Sequence, residues 1–140
     1  NFQSYYNLNM SDKPTLSRAF NTHLLEFLND IICIYPDSQD IAQAKSSFET
    51  IKRANPSIII KAWFKHVYTP YKDIIDSGDI TFFFEKDYSQ DVQSFSNASD
   101  IIKIIDKIRG PINGMDSANK DHCSEYIKNL SKLSALYVSM

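Results

Sequence analysis

Three histidines, two cysteines and a scatter of carboxylates hold whatever reactive chemistry this 140-residue chain offers. His23, His66 and His122 are each isolated in sequence. A histidine acts as base or ligand only when another group orients it or when further ligands converge on one ion. None stands in the H-E-x-x-H arrangement that sets two imidazoles on one helical face. His122 and Cys123 are adjacent, but successive helical residues point about 100° apart, so the two do not readily chelate one ion. Cys33 and Cys123 form no C-x-x-C pair. Each lies at the end of, or along, an apolar helical stripe, and both read as small packed hydrophobes in a reducing compartment.

Asp87, Ser89 and Asp91 imitate the first three ligands of a calcium loop, but Val92 falls where the turn needs glycine and Ala98 where a bidentate glutamate is needed. With 3 glycines in all, the chain has little from which to build a phosphate cradle. No serine stands in a G-x-S-x-G elbow. No catalytic residue, no metal ligand set and no cofactor is expected.

The charge layout is the feature that rises above background. Residues 45–72 hold 6 basic and 1 acidic side chains, and residues 73–100 hold 1 and 7. The stretches before and after are milder, −3 over 1–44 and +2 over 101–140, within a net charge of −2. Lys45, Lys52, Arg53, Lys61, Lys65 and Lys72 are interleaved with Trp63, Tyr68 and Tyr71, a pattern that could meet phosphates and stack bases. The plainer reading packs the basic helices beside the acidic stretch and leaves the charges as solvated faces. An overall pI of about 5.9 weighs against a dedicated nucleic-acid binder.

These side chains must be carried by helices, because apolar residues recur at spacings of three and four from Leu16 almost to the end. Leu16, Phe20, Leu24, Phe27, Ile31 and Ile34 make one wide face, stopped by Tyr35-Pro36. Ile41, Ala44, Phe48 and Ile51 repeat it in a second helix capped by Ser38 or Asp37. Asn55-Pro56 reads as cap and first position of a third, with Ile59, Ile60, Trp63, Phe64 and Val67 apolar around more than half its circumference, and with Thr69-Pro70 kinking or restarting it. Ile80 to Phe84 suits strand as well as helix, and a short helix is preferred because a lone strand lacks pairing partners. Ser89 to Ser99 reads as a polar loop. Ile101, Ile104, Ile105 and Ile108 form a face closed by Gly110-Pro111. The last helix carries Cys123, Tyr126, Leu130, Leu133 and Tyr137, with a second flank of Ile127, Leu136 and Val138 that either docks another chain or widens the buried face. The expectation is all-α: five to seven helices, with short loops making neighbours mostly antiparallel.

Composition agrees with a soluble globular chain, 43% hydrophobic and 23% charged, with no run of 18 apolar residues that could span a membrane. Its size suits one domain. Met10-Ser11-Asp12-Lys13-Pro14 resembles a natural start, so residues 1–9 are read as an irregular leader or as residues foreign to the native protein, and 10–140 as a single helical domain. The 18 aromatic residues, 8 Tyr, 9 Phe and 1 Trp, exceed what one core needs, and surface Tyr and Trp are typical interface anchors.

The order Leu24-Leu25-Glu26-Phe27-Leu28-Asn29-Asp30-Ile31, Ile51-Lys52-Arg53-Ala54-Asn55-Pro56, Gly78-Asp79-Ile80, Phe84-Glu85-Lys86-Asp87-Tyr88 and Tyr126-Ile127-Lys128-Asn129-Leu130 resembles short helical proteins of nucleocytoplasmic large DNA viruses of algae and amoebae. The resemblance covers roughly Phe20 to Tyr137. That family has no assigned activity, so the resemblance implies a setting, the host cytoplasm, viral factory or virion, and no catalytic residue. The resulting expectation is a non-enzymatic viral protein that works by protein contacts, as a small virion component or accessory adaptor. Its partners would be viral or host proteins, a second copy of itself among them. Lys61, Trp63, Lys65, Tyr68, Tyr71 and Tyr137 are the expected contact residues. The alternative is a nucleic-acid-associated factor using Lys45, Lys52, Arg53, Lys61, Lys65 and Lys72.

Overall fold

Helix α1 runs from Lys13 to Ile34. Asp12 caps it by accepting the Thr15 N–H at 2.7 Å, and Pro14 sits in the first turn, where a missing N–H costs nothing. The computed structural model that shows this describes residues 12–77, 104, 107, 108 and 110–140. Leu16, Phe20, Leu24, Phe27 and Ile31 are all buried, as their spacing predicts. Tyr35 ends the helix, its N–H still reaching the Ile31 carbonyl, and Pro36 prevents continuation.

Helix α2, Gln39–Ala54, starts at Ser38, whose hydroxyl accepts the Ile41 N–H. It buries Ile41, Ala44 and Phe48. Asn55 and Pro56 differ from their expected role as cap and first helical position. Asn55 is the C-cap of α2, with extended backbone, and Pro56 lies in a turn. The reason lies in α1: the Pro56 carbonyl accepts both the Ser17 hydroxyl at 3.0 Å and the Asn21 amide at 2.9 Å. Two tertiary bonds thus hold this peptide outside the helix.

Helix α3, Ile58–Trp63, passes without a break into a π-helical turn, Phe64–Tyr68, and then into α4, Thr69–Ser77. Thr69-Pro70 neither stops nor restarts the rod. Proline lacks an N–H, and its ring crowds the carbonyl four residues back, here that of His66. The π-turn relieves this by reaching one residue further, the Thr69 N–H bonding to the Phe64 carbonyl. Ile59, Ile60, Trp63 and Val67 are buried, so this is a central rod, as its apolar breadth predicts.

Ile104, Ile108 and Ile112 continue a buried stripe at a spacing of four. Gly110 and Pro111 do not close this stretch. They are themselves helical, and the turn comes at Gly114-Met115, because Ile112 and Met115 carry the stripe on into the core. Helix α5, Ser117–Ser139, is capped by Asp116, which accepts the Asn119 N–H at 2.8 Å. It buries Cys123, Ile127, Leu130, Leu133 and Tyr137. Ile127 is fully buried, so most of its second flank widens the buried face, while Val138 stays exposed.

Contacts at both ends of α1 and α5 show them antiparallel: Asp30 meets Tyr126, and Lys13 meets Tyr137. The core is one cluster drawn from every described helix, with Phe20 edge-on to Trp63 at 5.8 Å. The all-α expectation holds: among the described residues all regular structure is helical, and α3, the π-turn and α4 form one continuous rod. No helix among the described residues is long and apolar enough to cross a membrane. Residues 1–9, the Ile80–Phe84 run, the Asp87–Asp91 imitation of a calcium loop, the polar loop at 89–99, and Ile101 and Ile105 lie outside the described residues.

Candidate functional site

Asp30, near the end of α1, gathers the densest set of polar contacts between α1 and α5. The Tyr126 hydroxyl donates to its Oδ2 at 2.6 Å, and His122 Nε2 lies 3.1 Å from the same oxygen. Tyr126 is clamped as well by rings, stacked on Phe27 at 4.9 Å and lying 4.7 Å from His23. Burial pushes the Tyr126 phenol above its ordinary value, and its bond to Asp30 adds to this, so the hydroxyl stays a proton donor. Burial likewise pushes the Cys123 thiol up to about 12 and keeps it neutral, packed 3.7 Å from the Met115 sulfur. A neutral buried thiol is a poor nucleophile. His23 is held below its usual value by burial, against the opposing pull of Glu26, whose Oε2 is 3.7 Å from Nδ1. The cluster therefore joins a histidine to a carboxylate but supplies no activated nucleophile. Asp30 and His122 are 44% and 58% exposed, open to water rather than enclosed. Its chemistry is that of a clasp between two helices.

A cavity of about 390 Å³ opens between α4 and α5, beside the π-turn. Tyr68 and Asp76 line it from one helix, the phenol bridging both carboxylate oxygens at 3.0 and 3.2 Å. Lys128, Ser131 and Lys132 line it from the other. Ser131 is buried and accepts the Trp63 indole N–H at 3.0 Å. Burial, with Asp76 adding to it, raises the Tyr68 phenol above its ordinary value, which keeps its proton in place.

The basic residues singled out by sequence lie on α2 and on the α3–α4 rod. Lys61, Lys65 and Lys72 are exposed on the rod, Arg53 is exposed at the end of α2, and Lys45 and Lys52 are half-buried. Two of the four expected aromatic contacts, Trp63 and Tyr137, do not join them at the surface. Trp63 is 1% exposed and Tyr137 6%, so neither presents its ring as an exposed anchor for a partner. Both are withdrawn from the contact set: Trp63 lies on the wide apolar face of its helix, and Tyr137 is the last residue of the α5 stripe. Tyr68 is half-buried and bound to Asp76. Tyr71 lies in α4, and its side chain is outside the described residues.

Nothing local in the sequence marks Asp30, because its partners Tyr126 and His122 lie on another helix, and nothing local shows that Asp76, Lys128 and Lys132 line one cavity. Ser131 did leave a sign, a hydroxyl set between Leu130 and Leu133 in an apolar stripe, opposite an indole that needs a buried acceptor. Among the described residues no group of three or more histidine, cysteine or acidic side chains could hold a metal ion. Compared with protein-family models, curated proteins and solved structures, the chain matches none.

Proposed function

We propose that this is a non-enzymatic viral binding module, a small virion component or accessory adaptor, that docks an acidic face of a partner protein on the lysine row of the α3–α4 rod. The observation that carries this reading is the division of labour along the rod. Its charges, Lys61, Lys65 and Lys72, are exposed, while Trp63 is buried and the Tyr68 hydroxyl is engaged by Asp76. Single-stranded nucleic acid binds by stacking on exposed rings as well as by phosphate contacts. A surface with the charges and without Trp63 or a free Tyr68 favours a protein partner, steered and oriented by complementary charge. The viral setting, in host cytoplasm, viral factory or virion, rests on the resemblance alone.

The test compares the wild-type chain with a Lys61→Glu, Lys65→Glu, Lys72→Glu variant in capture from infected cells, alongside gel mobility of single-stranded and duplex DNA. The expected result is a protein partner lost in the variant and no DNA shift at micromolar protein in dilute salt. A DNA shift that collapses steeply as salt rises would replace this reading with nucleic-acid binding.

A further inference from the structure

The cavity between α4 and α5 is furnished for a ligand in a way the lysine row is not. Lys128 and Lys132, one turn apart on α5, bring two positive charges to it, and Asp76 brings one negative charge, fixed in place by the Tyr68 hydroxyl. Between them Ser131, 1% exposed, uses an acceptor lone pair on the Trp63 indole and keeps its own proton as a donor. Ile75, 2% exposed, adds an apolar wall. The π-turn, a feature frequent at functional sites, ends at Tyr68, directly on this cavity. At about 390 Å³ it lies near the low end of the range of roughly 300 to 1,000 Å³ that holds small ligands. Lys128 reaches Glu125 at 3.5 Å, a pair on the same helix whose glutamate is exposed and whose lysine is half-buried, so that it gains little and yields to a ligand.

From this set of groups we infer a binding site for a small acidic α-amino acid, whose two carboxylates face Lys128 and Lys132 and whose ammonium faces Asp76. Two cations and one anion in the wall match two anions and one cation in the ligand, and the Ser131 hydroxyl donates to one carboxylate. A simple dianion leaves Asp76 opposed by like charge, and a neutral-side-chain amino acid leaves one lysine unanswered. This site stands independently of the partner-docking reading above.

The test titrates the 140-residue chain with L-glutamate, L-aspartate, glutarate and norvaline, followed by Trp63 emission and by ligand-observed NMR. Saturable binding of glutamate or aspartate is expected, with glutarate and norvaline each weaker by about tenfold or more, since each lacks one charge-assisted contact. Lys132→Gln and Asp76→Asn, both at exposed positions, should each weaken glutamate by about tenfold; the urea midpoint should stay unchanged in Lys132→Gln and fall only slightly in Asp76→Asn, whose amide oxygen can still accept the Tyr68 hydroxyl. Absence of saturable binding by either acidic amino acid at millimolar concentration overturns the site. So does glutarate binding as tightly as glutamate, or glutamate binding undiminished in both variants.

Discussion

At the scale of single residues, Asp30 and His23 show two ways in which the seam between α1 and α5 treats polar groups, one half-exposed and one buried. Asp30 receives the Tyr126 hydroxyl at 2.6 Å, a charge-assisted bond shorter than a neutral one. Tyr126→Phe keeps the ring stack on Phe27 and removes only this bond, so it should cost about 1 kcal/mol in urea unfolding. Asp30→Asn should cost a similar amount. The double variant should cost less than the two together, since both single changes break the same contact. His23 belongs to a different regime. It is 5% exposed and its folded pKa is depressed, mainly by desolvation, with Glu26 and Asp30 on its own helix partly offsetting this and the Tyr126 ring facing it from α5. The neutral imidazole is the form that folds. Its contribution is therefore complete above the unfolded value of about 6.5 and is lost as pH falls through the lower folded value. Urea midpoints taken at about pH 7.5 and about pH 5.5 should drop between the two, and His23→Gln should flatten that drop.

The elements are set by local rules that tertiary bonds override at one junction and reshape at another. Ser38 caps α2 in the way its residue type predicts, and Ser38→Ala should cost about 1 kcal/mol by unfolding measurements. Asn55-Pro56 has an equally good local signal for a helix start, yet Ser17 and Asn21 of α1 claim the Pro56 carbonyl and make the pair a turn. The sequence could not show this, because the deciding donors lie 35 and 39 residues away. Pro70 is the counterpart. Its clash with a plain α-helix was legible, but the remedy was not. A π-turn keeps the rod continuous because the buried Val67 before Pro70 and Ile75 after it both belong to the core. Ser17→Ala removes one of the two bonds to Pro56 while keeping helix propensity, and it should destabilise the fold by about 1 kcal/mol while leaving helix content by circular dichroism unchanged.

Over the whole molecule, one apolar cluster joins the described helices, and Trp63 sits in it with Phe20 against its ring. The chain has a single tryptophan. Its emission should be blue-shifted and poorly quenched by acrylamide in the folded state, and should shift red together with loss of helical circular dichroism if the cluster melts as one unit. Phe20→Ala removes a fully buried ring and should cost about 3 to 5 kcal/mol, a large part of the 5 to 15 kcal/mol that typically holds a domain together. The same burial that makes Trp63 a core residue removes it from the surface and so from the expected contact set.

The spacing of apolar residues alone determined that this protein is helical and which face of each rod turns inward, because a period of three and four survives only if one side is buried. Charge positions on the rods were legible for the same reason, being the complement of that face. Which helix ends meet was a matter for the tertiary structure. The Asp30–Tyr126 clasp, the Ser131–Trp63 bond and the pairing of Lys128 and Lys132 with Asp76 around one cavity each join residues far apart in the chain. No periodicity encodes such meetings. They follow from how whole rods pack, and packing depends on every buried side chain at once.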